Sequence, residues 1–470
     1  MPFAPEYRPS QVHAALGEDF FDRVAPARFP RQILRYRNQR WAEALGLGPL
    51  SEAEWLQHFA GFAPLPGSFD TPLALRYHGH QFRQFNPQLG DGRGFLFAQL
   101  EDAQGRLLDL GTKGSGQTPW SRGADGRLTL KGGVREVLAA SLLEAQGVDT
   151  SKPFSLVETG EQLVRGDEPS PTRSAVLVRL NHSHLRIGTF QRLAYRRDEA
   201  GLRALLAHCL RHYLPEAQGA EGEEAQALAF LQAVMRRVAR VGGQWMAAGF
   251  VHGVLNTDNI NITGESFDYG PWRFLPHYDP GFTAAYFDHG GLYAYGRQPQ
   301  TLLWNLARLA ECLLPLAPLE KLEAVLDGFA GCFGTAWSAA WLKRLGLRPR
   351  GSEADMELVA TLEKFLQQSQ APFEQAVFDW QGGLLSEARA ARSPSAVHYG
   401  SEAFAPVHAL LTRYDAENPA RLEHTYFRRA RPVTLLIDEV EALWAPIAEH
   451  DDWSLFEAKM AEITLLREAG

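Results

Sequence analysis

The chain has 470 residues, of which 45% are hydrophobic and 22% charged, an ordinary globular composition and length enough for a two-lobed enzyme. Its 47 Lys and Arg against 55 Asp and Glu leave a formal charge of −8, so no global basic field points to nucleic acid or an anionic membrane, and any phosphate site has to be built locally. Three cysteines without CxxC spacing, no apolar run of membrane-spanning length and no signal-like apolar segment at the N-terminus lead to the expectation of a reduced, cytoplasmic, monomeric protein with no nucleic-acid or membrane partner.

Residues 1–75 mix short helical patterns with proline breaks such as PARFPRQ and FAPLPGSFDTP, and are expected to form a helical N-terminal extension. A glycine-rich loop, GDGRG, then precedes two apolar runs of strand length, FLFAQL and RLLDLGTK, which the turn-like DAQG would join into a β-hairpin. In GGVREVLAASLLEAQG the residues Val134, Val137, Leu138 and Leu142 recur at helical spacing, and Gly147 is a C-terminal stop. SAVLVRL follows as another strand. This order predicts a small mixed lobe over 76–200 that covers a ligand.

From about residue 201 the pattern is helical: Leu228, Leu231, Met235 and Val238 lead into GFVHG, and Leu302, Leu306, Leu309 and Leu313 mark a helix with Pro299 near its start. The expected larger helical lobe spans 201–400, and 401–470 is expected as a C-terminal helical extension containing two amphipathic helices. The fold class is therefore α+β.

The residues that could carry chemistry follow the same order. Gly90 and Gly92 would let backbone N–H groups approach a phosphate, and Arg93 between Gly92 and Gly94 offers a planar fork of donors, although a plain hairpin turn explains the run about as well. Neither a Walker GxxxxGK[ST] nor a GxGxxG between strand and helix is present. Lys113 ends the second strand and Glu136 lies on the helix that follows, the pairing by which kinases hold a phosphate-contacting ammonium. Between them TPWSRGADGR carries Asp125 and Gly126 in a loop that is otherwise an ordinary connector. In VRLNHSHLRIGTF, Arg179 and Arg186 could neutralise a triphosphate or simply be solvated.

The densest motif is HGVLNTDNINITGESFDYG, residues 252–270. A kinase-like phosphotransferase has its catalytic acid two residues after the His, and here Val254 stands in that place. A tight hairpin turning at Gly264 would bring Asn259 and Asp268 together as hard oxygen ligands for Mg²⁺ or Mn²⁺ on nucleotide phosphates; the other reading is a surface hairpin with Asn and Asp as turn formers. Losing the base at 254 costs on the order of 10²–10⁴-fold where base help is needed, and Asp258 could restore it from another angle. No G-x-S-x-G elbow or HExxH supports a hydrolase. Gly-rich loop, strand Lys, helix Glu, helix, HGV…DN and DYG nevertheless stand in the order of a protein-kinase-like fold. A true kinase and a nucleotide-binding scaffold without turnover are the two alternative readings of that order.

The stretches YHGHQFRQFNPQLGDGRG, LGTKGSGQTPWSRGADGR, VRLNHSHLRIGTF, HGVLNTDNINITGESFDYGPWRFL and GRQPQTLLWNLARLAECL resemble the SelO (selenoprotein O, YdiU) family of pseudokinase-like protein adenylyltransferases, from about residue 15 to about residue 320. The resemblance implies a two-lobed kinase-like fold that binds ATP in reversed orientation and transfers AMP to Ser, Thr or Tyr hydroxyls of proteins, with UMP from UTP as a further activity. It implies Asp258 as general base and Asn259 and Asp268 as ligands of Mg²⁺ or Mn²⁺. By the same resemblance Gly90, Gly92, Arg93, Lys113, Asp125, Gly126, Arg179, Arg186 and Asp268 would contact the nucleotide, with Glu136 holding Lys113. Members of the family often end in a cysteine- or selenocysteine-containing tail; this chain ends EITLLREAG, with Cys312 and Cys332 in helical segments instead.

Overall fold

A computed structural model describes residues 3–166 and 168–470. Thirteen strands are assigned among them: β1 (Pro9–Ser10), β2 (Phe21–Arg23), β3 (Ile33–Arg37), β4 (Leu73–Leu75), β5 (Gly79–Gln81), β6 (Gln84–Asn86), β7 (Leu96–Glu101), β8 (Leu107–Lys113), β9 (Leu128–Thr129), β10 (Lys152–Leu163), β11 (Thr172–Asn181), β12 (Phe250–Val251) and β13 (Arg273–Phe274). Nine form one antiparallel sheet in the order β2-β4-β7-β8-β11-β10-β3, with β1 added to β7 and β9 to β11. The predicted hairpin is β7–β8, and SAVLVRL lies inside β11.

Every residue of β8 is buried, so the sheet has a layer on both faces and its central strands read as continuous apolar runs. Leu96, Leu156 and Leu177 face the helix Leu130–Ala145, which starts with Thr129 accepting a hydrogen bond from Gly132 N at 3.1 Å. Alternate residues, Phe95, Phe97, Val176 and Val178, face the other way, onto Trp55 and Phe59 of the helix Glu52–Phe59. The N-terminal stretch expected to be helical therefore carries two short helices and four strands. Its strands extend the sheet and its aromatic residues build the outer layer, because strand runs of two to five residues lie below what periodicity reveals.

From residue 187 onward the regular structure is helical apart from the short β12–β13 pair, with a long, largely irregular stretch over 252–294. The helix Glu223–Ala247 crosses Phe329–Leu345 and packs on Gln298–Cys312; the buried residues of Gln298–Cys312 and most of those of Glu223–Ala247 belong to the core shared with Leu130–Ala145, while Trp341, Leu342 and Leu345 with Leu358, Leu362 and Phe365 of Ser352–Ser369 build a second core. Two helices end the chain as expected, Ile437–His450 and Ser454–Glu468. They return to the sheet half: Ser454–Glu468 packs on Leu130–Ala145, Lys131 pairs with Glu441 at 2.6 Å, and Asp451 accepts from Arg35 at 2.8 Å and Arg173 at 2.6 Å. No described helix is long and apolar enough to cross a membrane.

A polar cluster lies where the N-terminal turn meets the helix Glu199–His212. Asp109 on β8 accepts from Gln99 at 2.7 Å and from His184 N at 2.9 Å, and both ring nitrogens of His13 and Nε2 of His208 are buried without a hydrogen-bond partner. Burial drives His13 down to about 4 against the pull of Asp109, with His184 adding to the depression. Burial, then the neighbouring His13 and His212, take His208 down to about 3. The folded protein thus excludes protons that an unfolded imidazole, near 6.5, would bind, so the contribution is intact above about pH 6.5 and is lost as pH falls toward 4. The melting temperature is expected to drop between pH 7 and pH 5, and His13→Leu, which sacrifices no side-chain hydrogen bond, to make that drop shallower. A variant with the wild-type pH slope would contradict this origin.

Candidate active site

Strand register sets the first part of the site. Lys113 pairs opposite Leu177 and Gly111 opposite Arg179, so Lys113 and Arg179 stand on neighbouring strands of one face, the face covered by Leu130–Ala145. Gly111 is required there because a Cβ would lie 2.1 Å from His184 Nε2. Glu136 descends from the helix between the two cations, accepting from Lys113 Nζ at 2.6 Å and Arg179 Nη1 at 3.2 Å. All three side chains are at most 8% exposed.

The second part is the 252–270 segment, and it does not form the expected hairpin ladder. Asn261 bridges to Arg186 and Ser266 to Thr150, so the two arms pair outward rather than with each other. The turn at Gly264 forms, with its N–H on Asn261 O at 2.9 Å, and residues 257–259 make one 3-10 turn. Asn259 and Asp268 still meet, through side chains: Asn259 Nδ2 donates to Asp268 Oδ2 at 3.1 Å. Asp268 sits at φ 65°, a left-handed conformation that costs a non-glycine residue about 1–3 kcal/mol and aims its carboxylate at the sheet.

That carboxylate joins the two parts. Its Oδ1 lies 2.8 Å from Lys113 Nζ and 3.3 Å from Arg179 Nη1. Burial acts against the anion; the Lys113 ammonium, followed by the Arg179 and Arg93 guanidiniums, overcomes it and holds the carboxyl well below the usual carboxylate range. With Asn259 Nδ2 committed to Asp268, its amide oxygen is the atom left to accept or ligate. One carboxylate and one amide oxygen fit Mg²⁺ or Mn²⁺, which complete their shells with substrate phosphates and water.

Asp258 is in the opposite condition. Its Oδ1 is buried with no hydrogen-bond partner, and burial raises it to about 6 although the Arg186 charge opposes the rise. Arg186 is sandwiched between Tyr77 at 4.1 Å and Phe267 at 5.2 Å from the ring centres, and reaches Asp258 O at 3.3 Å and Asp91 Oδ1 at 3.5 Å. Val254 is half-buried among core side chains.

Neighbouring residues of the motif are clamps. His252, kept neutral by burial, binds Phe267 O at 2.9 Å, next to Asp268. Asn256 accepts from Phe82 N at 3.0 Å and Tyr293 OH at 2.6 Å, while Thr257 accepts from His80 N at 2.7 Å and donates to Gln191 at 2.6 Å. The contacts to Phe82 and His80 tie the 252–270 segment to the β5–β6 hairpin.

Gly90 and Gly92 are packed on the segment 118–121: a Cβ on Gly90 would stand 2.4 Å from the Trp120 ring and one on Gly92 2.9 Å from Trp120 O. Arg93 is exposed, and its carbonyl receives Gly114 N at 2.7 Å. Asp125 and Gly126 stand apart from the central cluster. Asp125 is held by Arg165 at 2.8 Å and Gly126 packs on Gly116, and no hydrogen bond or ion pair among the described residues joins either to Lys113 or Asp268. Sequence reasoning missed Asp91, though it lies inside GDGRG, and Arg122, an exposed residue at φ 52° whose charge acts on Asp258.

Comparison with known proteins comes out on the same side. The family described as protein adenylyltransferase SelO matches residues 4–464, beyond the stretch covered by the motifs. A protein nucleotidyltransferase YdiU of Synechocystis sp. is 43% identical over 94% of this chain and 94% of its own length. One from Gloeobacter violaceus is 45% identical over 96% of this chain and 93% of its own.

The buried Lys113–Glu136 pair sets a stability test. Lys113→Ala leaves Glu136 buried with Arg179 alone, and breaking such a pair costs about 3 kcal/mol or more. Equilibrium denaturation is expected to show that loss; a change within about 0.5 kcal/mol, the range of an ordinary surface substitution, would contradict it.

Proposed function

The chain belongs to the SelO family of protein adenylyltransferases and is a nucleotidyltransferase, and we propose that it transfers AMP from ATP to Ser, Thr or Tyr hydroxyls of other proteins, with UTP as a second donor. We read its sheet half and helical half as the small and large lobes of a kinase-like arrangement. The observation that carries the reading is the division between two carboxylates ten residues apart. Asp268 is locked in the anionic form by Lys113, Arg179 and Arg93, whereas Asp258 keeps a buried oxygen free.

In this reading Lys113, Arg179, Arg186 and Arg93 receive the phosphates, and Glu136 keeps Lys113 from swinging away. Gly90 and Gly92 allow close backbone approach, and Asp125 and Gly126 contact the nucleotide from the loop after β8. Asn259 and Asp268 would hold the Mg²⁺ or Mn²⁺ ion. When bound, the ion offsets phosphate charge and fixes the phosphates in place. The acceptor hydroxyl oxygen attacks the α-phosphorus. A new O–P bond forms, the bond from α-phosphorus to the bridging oxygen breaks, and pyrophosphate leaves. The hydroxyl proton passes to Asp258 Oδ1. The absence of an acid at 254 fits a hydroxyl arriving along a different line from that of a kinase substrate.

Incubation with ATP labelled at the α or the γ phosphate is expected to label protein from the α position only. Label from the γ position alone would establish a kinase instead, and nucleotide binding without label a scaffold. Asp258→Asn is expected to lower turnover by about 10²–10⁴-fold while metal-dependent nucleotide affinity is kept, and Asp268→Ala to abolish that affinity. Equal loss of affinity in both variants would contradict the division of roles.

A further inference from the structure

The helices Glu223–Ala247 and Phe329–Leu345 touch at Gly243, where a Cβ would lie 2.7 Å from Trp337 N. Beside this crossing they leave a groove of about 540 Å³, a volume within the ordinary range of small-ligand sites. The groove exists because Phe329–Leu345 presents small residues at helical spacing, Ala336, Ala339 and Ala340, where larger ones would fill the space. The same spacing continues to Lys343 and Arg344, and Arg236 and Arg240 line the facing helix.

Two of these four cations are neutralised, Arg240 by Asp149 at 2.7 Å and Arg344 by Glu374 at 2.5 Å. Arg236 and Lys343 have no carboxylate partner among the described residues, in a protein whose net charge is −8. Arg344 is only 9% exposed, yet its Nε has no hydrogen-bond partner, and neither does Oε1 of Gln146, which is 6% exposed; both residues line the groove. Buried polar atoms without a protein partner are ordinarily met by water, so these two mark a polar end of the groove.

We propose that this groove binds an amphipathic anion, an apolar chain carrying one carboxylate or phosphate headgroup. The alanine floor takes the chain, and Arg236 and Lys343 take the charge. The site is separate from the nucleotide cluster and does not rest on the transferase reading. Gln244, which also lines it, accepts from Asp149 N at 2.9 Å, and Asp149 O in turn accepts from Ser266 N at 2.9 Å, two residues before Asp268.

Isothermal titration of the full chain with monomeric dodecanoate and with dodecyl phosphate tests this, with dodecanol and dodecyltrimethylammonium as controls. Saturable one-to-one binding of the two anions is expected, with the controls weaker by about tenfold or more. Ala339→Trp fills the groove from an exposed position, and Arg236→Glu reverses a solvent-facing charge; each is expected to weaken anion binding by about tenfold with an unchanged melting temperature. Binding of one anion and not the other would identify the headgroup and support the site. No saturable heat with either anion up to about 1 mM, equal affinity for the cationic control, or unaltered binding in both variants would overturn it.

Discussion

A single carboxylate, that of Asp268, meets the sheet through Lys113 and Arg179 and the 257–259 turn through Asn259. Holding a charge in that position is costly, because burial favours the neutral acid. The cost is offset chiefly by Lys113 at 2.8 Å and Arg179 at 3.3 Å, and their placement requires β8 and β11 in their observed register with Glu136 between the cations. The helix Leu130–Ala145 is therefore more than core. It carries the acid that fixes where Lys113 points, and it is pressed onto the sheet from outside by the C-terminal helices.

The two carboxylates of the 252–270 segment differ because their neighbours differ. Asp268 faces three cations. Asp258 has its main-chain carbonyl, not its carboxylate, bound by Arg186, whose guanidinium is confined between Tyr77 and Phe267. A short segment thus supplies one group fixed as an anion and one able to take a proton. Asn256 and Thr257, turned the other way, bind the β5–β6 hairpin and hold the loop at the depth where this contrast is possible.

Much of this was legible in the residues. The β7–β8 hairpin, the helix after it, the strand with Arg179 and the long helices of the second half were carried by apolar periodicity, which reports burial directly. Lys113, Glu136, Arg179, Asn259 and Asp268 were found as types in a particular order, and the structure brings those five together. The strands of the first 75 residues and the missing hairpin ladder were not legible. Short strands take their stability from partners far away in sequence, and Asn261 and Ser266 pair with Arg186 and Thr150, which no local pattern announces.

By itself, then, the sequence determined the α+β class, the family resemblance and the chemical inventory of the site, because spacing and residue type are local properties. Only the tertiary structure decided how those groups are charged and aimed. Whether Asp258 keeps a free oxygen, whether Asp91 and Arg122 act near it, and whether Asp125 lies within reach of the central cluster all depend on distances across the fold. Electrostatic interaction varies with separation and burial, and neither is written in the order of residues.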